Sequence, residues 1–513
     1  MMMMSISPSF FGFNTAQRAL MASQAGLNIV NHNISNANTD GYTRQRLDLS
    51  SSATLSPPIS QGKIAFQLGQ GVDITGVTRT RDSFLDNQYQ QELGTQGELT
   101  KGNEIFTQLE SVVGEPSSTG LANSVQQLFA SVSDMRNNPQ SLPARTAFIQ
   151  KMVDLTQVIQ NQGKQLIDLH KNLVGTAGDA TSFPTSQLGI AITDFNSKLA
   201  SIADYNKQIN TITSSGATPN DLLDKRNQLV EQLSTLADID VTPLNGEQIQ
   251  ISLGGRALVR GPEVLDTLSL TANTGINANP VPALVSTTTG GVNITNAIKG
   301  GTVKGILDLA GNNTAIETVY GVYSKLSAMF ESLTSQFNTV QQAGRDLTGT
   351  QHPVTDTTYG ELFNTDSTYS GSGPKLLYLK VNPNFKQNPD KISLAANDTT
   401  IVPSGFAGVG DSRNAKAMAD IQTTAFVALN NSTPETFHQS LVARLGTDSR
   451  SYQDRLDSQK TVITSLEGRR QSVSGVNLDE ESINLLKYQR SFEAASRMVK
   501  AFNEIYQSIL NMV

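Results

Sequence analysis

The sequence predicts an α+β multidomain chain: a discontinuous helical core built from paired N- and C-terminal coiled-coil-like helices, with β-rich insertion domains. Three observations carry that reading. Apolar side chains recur at alternating spacings of three and four over the last thirty residues. They do the same near the start. Between the ends, helical periodicity gives way twice to Gly- and Thr-rich, strand-like stretches. The C-terminal stripe is Leu485, Tyr488, Phe492, Ala495, Val499, Phe502, Tyr506, Ile509 and Val513, with no Gly or Pro inside it. The N-terminal stripe is Phe13, Ala16, Leu20, Ser23, Leu27, Val30 and Ile34, with Ser23 as its one polar position. Such spacing holds a stripe on one helix face. Termini are usually the loosest parts of a domain, so regular stripes at both extremes point to ends that pair with each other or with other subunits. Isolated helices are marginal and take most of their stability from packing. The ends are therefore expected to be largely disordered in a free monomer and to fold when subunits stack.

The elements follow in order. Ser7-Pro8 opens the first helix, with Ser as cap and Pro at the first helical position. An Asn-rich stretch (Asn31, Asn33, Asn36, Asn38) ends it, and Asp40-Gly41 marks a turn. Ser50 to Ser60 reads as an extended Ser/Pro-rich linker, and Val72, Ile74 and Val77 alternate as a strand. Ile105, Leu109 and Val112 mark one helical stripe. Val125, Leu128, Phe129, Val132 and Met135 mark another. A long helix is expected over 144–173, a loop over 175–184, then a helix through Leu188, Ile192, Phe195, Leu199, Ile202, Ile209 and Ile212 with Asn206 as a polar seam position. A short helix spans 220–236. From Val241 to about Leu309 the chain is β-like, with Ile249, Ile251 and Leu253 alternating, as do Leu268 and Leu270. Ile316, Val319, Tyr323, Leu326, Phe330, Leu333, Phe337 and Val340 restore helix. A Gly/Pro/Thr-rich stretch follows, with Leu377, Leu379 and Val381 as strand candidates. From about Asn414 the chain reads as helix to its end.

Four units result. Residues 1–50 and 475–513 form a terminal helical assembly domain. Residues 51–240, 312–346 and 411–474 form a discontinuous helical core domain. Residues 241–311 form a β-rich insertion, and 347–410 a second Gly/Pro/Thr-rich insertion assigned to an outer β domain. A chain of 513 residues has room for roughly three domains.

Composition narrows function. The net charge of −7, with no basic cluster, argues against a nucleic-acid partner. The chain has no Cys, which removes disulfides, thiolate metal sites and thiol nucleophiles together. No apolar run is long enough to predict membrane insertion. Ser5, Ser7 and Pro8 interrupt the opening Met run, so no cleaved signal peptide is expected.

Catalytic motifs are missing. His32, His170, His352 and His438 are scattered, without metal-ligand spacing, and there is no Walker A sequence. Gly405 to Gly410 reads as loop. No catalytic, cofactor or metal site is assigned, and the chain is read as no enzyme. The densest acidic cluster, Asp479-Glu480-Glu481, reads as a helix first turn. Asn477 is its cap, Glu480 closes a capping box, and the carboxylates face the positive end of the helix dipole.

Two stretches carry a resemblance. Ser35-Asn36-Ala37-Asn38-Thr39-Asp40-Gly41-Tyr42-Thr43-Arg44-Gln45 resembles the N-terminal signature of bacterial flagellar axial proteins: rod, hook and hook-associated proteins. Gly475-Val476-Asn477-Leu478-Asp479-Glu480-Glu481, followed by Leu485 to Ala494, is similar to the C-terminal signature of the hook-associated members. Asp221 to Asn227 and Asn138 to Arg145 are similar to interior stretches of the same members. The resemblance implies a self-assembling structural subunit at the hook–filament junction, in an extracellular part of the flagellum, exported without a cleaved signal peptide. It implies as partners a ring-like homo-oligomer of the chain itself, the hook protein, the next hook-associated junction protein and a flagellar export chaperone at the C-terminal helix. The assembly residues would be Phe13, Leu20, Leu27, Val30, Ile34, Leu485, Tyr488, Phe492, Val499, Phe502, Tyr506 and Ile509. The signature residues are Asn36, Asn38, Gly41, Tyr42, Arg44, Gln45, Asn477, Leu478, Asp479 and Glu480. A hook or distal-rod protein is the nearest rival. A secreted adhesin or binding module is another; its inserts would hold exposed aromatic or charged patches, and the aromatics on offer, Tyr359, Phe363, Tyr369 and Tyr378, are more often core or loop anchors.

Overall fold

The computed structural model describes residues 8–53, 69–114, 120–176, 179–272, 283–367, 369, 375–401 and 405–511. Helix α1 (Pro8–Ser35) opens the chain with Pro8 at its first position; Ser7 lies outside the described residues. An antiparallel hairpin follows, β1 (Gln45–Ser51) and β2 (Val72–Arg79). Strand β1 was not foreseen. Most of the proposed linker, 54–60, lies outside the described residues.

Five long helices come next: α2 (Ser83–Val113), α3 (Leu121–Asn137), α4 (Leu142–Val174), α5 (Gln187–Ser214) and α6 (Asn220–Leu236). Helix α2 starts well before the apolar stripe that signalled it, because the Asp82 carboxylate accepts from the Phe84 and Leu85 N–H groups. Ser141 and Ser186 cap α4 and α5 in the same way. The loop expected over 175–184 is partly ordered: Ala180–Thr185 forms a 3-10 turn capped by Asp179.

The first insertion begins with a four-stranded antiparallel sheet, β3 (Ile239–Pro243), β4 (Ile249–Leu253), β5 (Arg256–Arg260) and β6 (Glu263–Val264), followed by the pair β7 (Leu268–Ala272) and β8 (Ala283–Thr287). The side chains of β4 alternate in burial, Ile249, Ile251 and Leu253 facing inward. Helix α5 holds both sheets. Asn206, the polar seam position, donates to the Ile249 and Gly261 carbonyls, and Asn196 exchanges two hydrogen bonds with the Leu268 backbone. The β-like reading to Leu309 is corrected: Gly301–Leu307 is helix α7. Val303, Ile306 and Leu307 are buried against the helical core, and this packing outweighs the local Gly and Thr content.

Helix α8 (Val319–Ala343) follows, capped by Thr318. Short strands β9 (Gly344–Arg345), β10 (Phe363–Thr365) and β11 (Leu379–Val381), the single-turn helix α9 (Asn384–Gln387) and β12 (Ala395–Ala396) make the second insertion. Leu377, read as strand, sits in a 3-10 turn before β11. The tail is α10 (Arg413–Asp420), α11 (Pro434–Ser474) and α12 (Leu478–Leu510). The helix expected from Asn414 is broken at 424–433, where a turn with Asn430 and Asn431 at positive φ separates α10 from α11.

The core is contiguous through helices and both insertions. Phe337 of α8 meets Phe129, Phe148 and Phe363 with ring centroids 5.9, 6.0 and 6.2 Å away. Phe363 is buried and Tyr359 packs edge-on against Phe385. Tyr369 and Tyr378 pair with each other. These aromatics anchor the fold instead of forming an outward patch. Arg145 pins the second insertion to the elbow between α3 and α4. Fully buried, it donates to the Pro139, Ile392 and Pro389 carbonyls.

Candidate functional site

The two ends of the chain meet. Helices α1 and α12 run antiparallel along each other, and each supplies the apolar partner the other lacks. Both are therefore formed within a single chain, in contrast to the expectation of disordered ends. Among the described side chains of α12 after Asn484, only Leu485, Tyr488, Phe492, Ala495, Val499, Phe502 and Tyr506 are less than exposed. These are the positions of the stripe. The Ile509 side chain and Val513 lie outside the described residues.

On α1 the stripe is covered unevenly. Ala16, Ser23 and Val30 of the stripe are buried, with Gly26 and Asn33 beside them, whereas Phe13, Leu20, Leu27 and Ile34 are half-buried. A Cβ on Gly12 would stand 2.2 Å from the Phe502 ring, and one on Gly26 would stand 2.5 Å from the Tyr488 ring. The aromatic knobs of α12 need holes, and only residues without side chains leave them. Gly12 and Gly26 are fourteen residues apart, as are Phe502 and Tyr488, so the register repeats after two heptads. That spacing was the signal available in the sequence. Phe13 still touches α12, its ring meeting Tyr506 edge-on at 6.3 Å. Ser23 satisfies its hydroxyl on the Ala19 carbonyl of its own helix.

At the inner end of the pair the two signatures close a clasp. Asn477 caps α12, accepting from the Asp479 and Glu480 N–H groups. The expected capping box does not form, because Glu480 is drawn to Arg44 instead. The Arg44 guanidinium forks over two carboxylates, Nη1 to Glu480 at 2.7 Å and Nε to Glu481 at 2.8 Å. Its backbone N–H donates to the Ser474 carbonyl at the end of α11, so one residue grips both sides of the α11–α12 break. Asn33 ties the clasp to α1. Its amide donates to the Gln45 carbonyl and to Glu481, and its oxygen accepts from Tyr42 Oη and the Gln45 N–H. Burial, reinforced by Asp221, Asp224 and Glu481, pushes the Tyr42 phenol far above its ordinary value, so it stays a neutral donor.

The clasp is bolted to the core through α6. Asp224 accepts from the Thr43 N–H and pairs with Arg79 at 2.8 Å, and Asp221 accepts from the Gln45 amide. Burial lowers the pKa of Arg79, and Asp224 opposes that shift. Gly41, at φ +75, makes the turn that swings Tyr42 back over α1. Of the signature residues, Tyr42, Arg44, Gln45, Asn477 and Glu480 converge. Asn36 bonds only locally, to the His32 carbonyl, and Asn38, Leu478 and Asp479 are exposed. Sequence reasoning assigned no site role to Asn33, Glu481, Arg79 or Asp224. Asp221 and Asp224 sat in a flagged stretch, but the partner of each lies more than a hundred residues away.

Comparisons with known proteins agree with this geometry. The family model "Flagella basal body rod protein" matches residues 13–43, and "Flagellar basal body rod FlgEFG protein C-terminal" matches 469–512. The first covers most of α1 and ends just before Arg44, and the second covers the α11–α12 break and α12. The model "Flagellar hook-associated protein FlgK helical domain" matches 106–353. Flagellar hook-associated protein 1 of Bacillus subtilis (strain 168) is 28% identical over 534 residues, covering 99% of each chain. The chain is similar to flagellar hook-associated protein 1 over nearly its whole length. The Escherichia coli (strain K12) hook-associated protein 1 is 25% identical over 565 residues, covering 97% of this chain and 99% of its own. The solved structure of the flagellar hook junction protein FlgK from Burkholderia pseudomallei shares the fold, with a TM-score of 0.61 at 16% identity, over 76% of this chain and all of that one.

Proposed function

We propose that this chain is a member of the hook-associated family and a structural subunit of the bacterial flagellum that self-assembles at the hook–filament junction and lets the filament grow on the hook. The observation that carries this is the end-to-end likeness to hook-associated protein 1 relatives, in a chain whose two signatures meet in one clasp. The chain is a flagellar component and assembles with others. Its partners on this reading are further copies of itself in a ring, the hook protein below and the next junction protein above. A flagellar export chaperone holds the C-terminal helix before assembly, and export proceeds without a cleaved signal. The assembly role of Phe13, Leu20, Leu27, Val30, Ile34 and the α12 stripe belongs to the same proposal. So does the absence of catalysis: the polar groups of the clasp are engaged in holding elements together. No helix among the described residues is long and apolar enough to cross a membrane.

Electron microscopy of cells lacking the gene, with flagellin assayed in the medium, tests the proposal. Hooks without filaments together with shed flagellin are expected. Missing hooks would move the chain down the axis to hook or rod. Normal filaments would overturn the reading in favour of an adhesin.

A further inference from the structure

The chain holds one Asn-Gly step, Asn245-Gly246, in the turn joining β3 to β4. Both residues are exposed. Gly246 has φ +71 and Glu247 φ +59, two successive left-handed residues at the tip of a hairpin. Among the described residues neither the Asn245 amide nor the Gly246 N–H has a hydrogen-bond partner.

We propose that Asn245 is a site of spontaneous backbone-directed modification in the folded protein. The Gly246 nitrogen attacks Cγ of Asn245. The Cγ–Nδ2 bond breaks, and ammonia leaves carrying the proton lost by Gly246. Water then opens the cyclic imide at either carbonyl, leaving aspartate or isoaspartate at position 245. The step needs no oxidant, metal or enzyme.

What sets Asn245 apart from Asn38, Asn430 and Asn431 is the state of the attacking nitrogen. At those three exposed asparagines that nitrogen is already engaged. The Asn431 N–H, which would attack Asn430, donates to the Phe426 carbonyl at 2.9 Å. The Ser432 N–H, which would attack Asn431, donates to Leu429 at 3.1 Å, and Thr39, following Asn38, donates to Asn36 at 2.9 Å. Attack there must first break a backbone hydrogen bond. At Gly246 it need not, and a residue without Cβ leaves the approach open.

The turn is also where the change would be felt. The Glu247 carbonyl accepts from Nη1 of buried Arg226, which also donates to Asn206. Isoaspartate lengthens the main chain by one carbon just before Gly246 and draws that carbonyl away from the guanidinium.

The test is to age the full-length chain at mildly alkaline pH, with and without urea. Peptide mass spectrometry and isoaspartyl methyltransferase labelling follow Asn245 and Asn431. In the folded chain Asn245 should convert several-fold faster than Asn431, about two- to tenfold for the worth of one retained backbone hydrogen bond. Urea should accelerate Asn431 and leave Asn245 nearly unchanged. Asn245→Gln should abolish the label, and the aged wild type should melt below the equally aged variant. Protection of Asn245 in the folded chain, equal rates at the two sites, or label persisting in Asn245→Gln would each overturn the proposal.

Discussion

The terminal pair and the central bundle are both helical, yet they bury different things. In the bundle, helices such as α3 and α8 are covered from several sides, and Phe129, Met135, Phe330 and Phe337 are almost wholly enclosed. In the pair, α12 has α1 as its neighbour along most of its length and its opposite face stays bare, while α1 also packs against the β1–β2 hairpin. Ile483, Leu486, Met498 and Ile505 of α12 are about half or more exposed. The bundle is held by hydrophobic volume. The pair is held by a few aromatic knobs in glycine holes and by a polar clasp at one end. Stability in the bundle should therefore be cooperative, and stability in the pair local.

Changes in the two regions should part along that line. The largest effect is expected from Arg145→Ala, which strips the Pro139 and Ile392 carbonyls of a buried donor. It should cost about 3 kcal/mol or more and lower the main transition in urea or thermal unfolding. An unchanged main transition would mean that the second insertion is not part of the cooperative unit. Phe502→Asp comes next. A carboxylate set against Gly12 should cost the pair about 2–3 kcal/mol and abolish assembly in cells, while the main transition stays where it was. Filaments on such cells would remove Phe502 from the seam. Circular dichroism of the same variant should show partial loss of helix before the main transition.

Arg44→Ala is expected to be milder, about 1–2 kcal/mol, because Glu480 can turn to water although Glu481 cannot. Arg44→Lys keeps the charge but not the fork, so hydrogen exchange at 478–485 should be intermediate between wild type and Arg44→Ala. The smallest effect is a pH effect in the bundle. Burial, with Asp308 adding, raises the pKa of Glu98 above its ordinary value. The folded state therefore binds this proton more tightly than the unfolded chain. The contribution is fully present below the ordinary carboxylate range and is lost as pH rises through the raised value. Glu98→Gln cannot ionise, so it should be the more stable protein at neutral pH, by less than about 1 kcal/mol. Its stability should also fall less from mildly acid to neutral pH. An identical pH slope in the two proteins would show that Glu98 is not the group responsible.

Local signals carried much of the fold. The helix over 220–236 was legible to the residue, because an apolar stripe and flanking breakers agree. The Asn477 cap was legible because a cap is satisfied within three residues of itself. The α12 stripe was read correctly because a heptad of large side chains faces whatever neighbour is present. The errors fell where a distant partner decides. Glu480 abandoned the capping box for Arg44, more than four hundred residues away in sequence. Residues 301–307 became α7 because the core receives Val303 and Ile306.

By itself the sequence determined that both ends are helices with one apolar face, that β-rich segments interrupt the helical chain, and that the signatures lie beside those faces. Periodicity, caps and turns are short-range, and they survive without knowledge of a partner. Only the tertiary structure decided that Gly12 and Gly26 make room for Phe502 and Tyr488, and that Arg44 closes on Glu480 and Glu481. Those outcomes depend on the size and charge of residues brought together from opposite ends of the chain, and no local pattern records such a meeting.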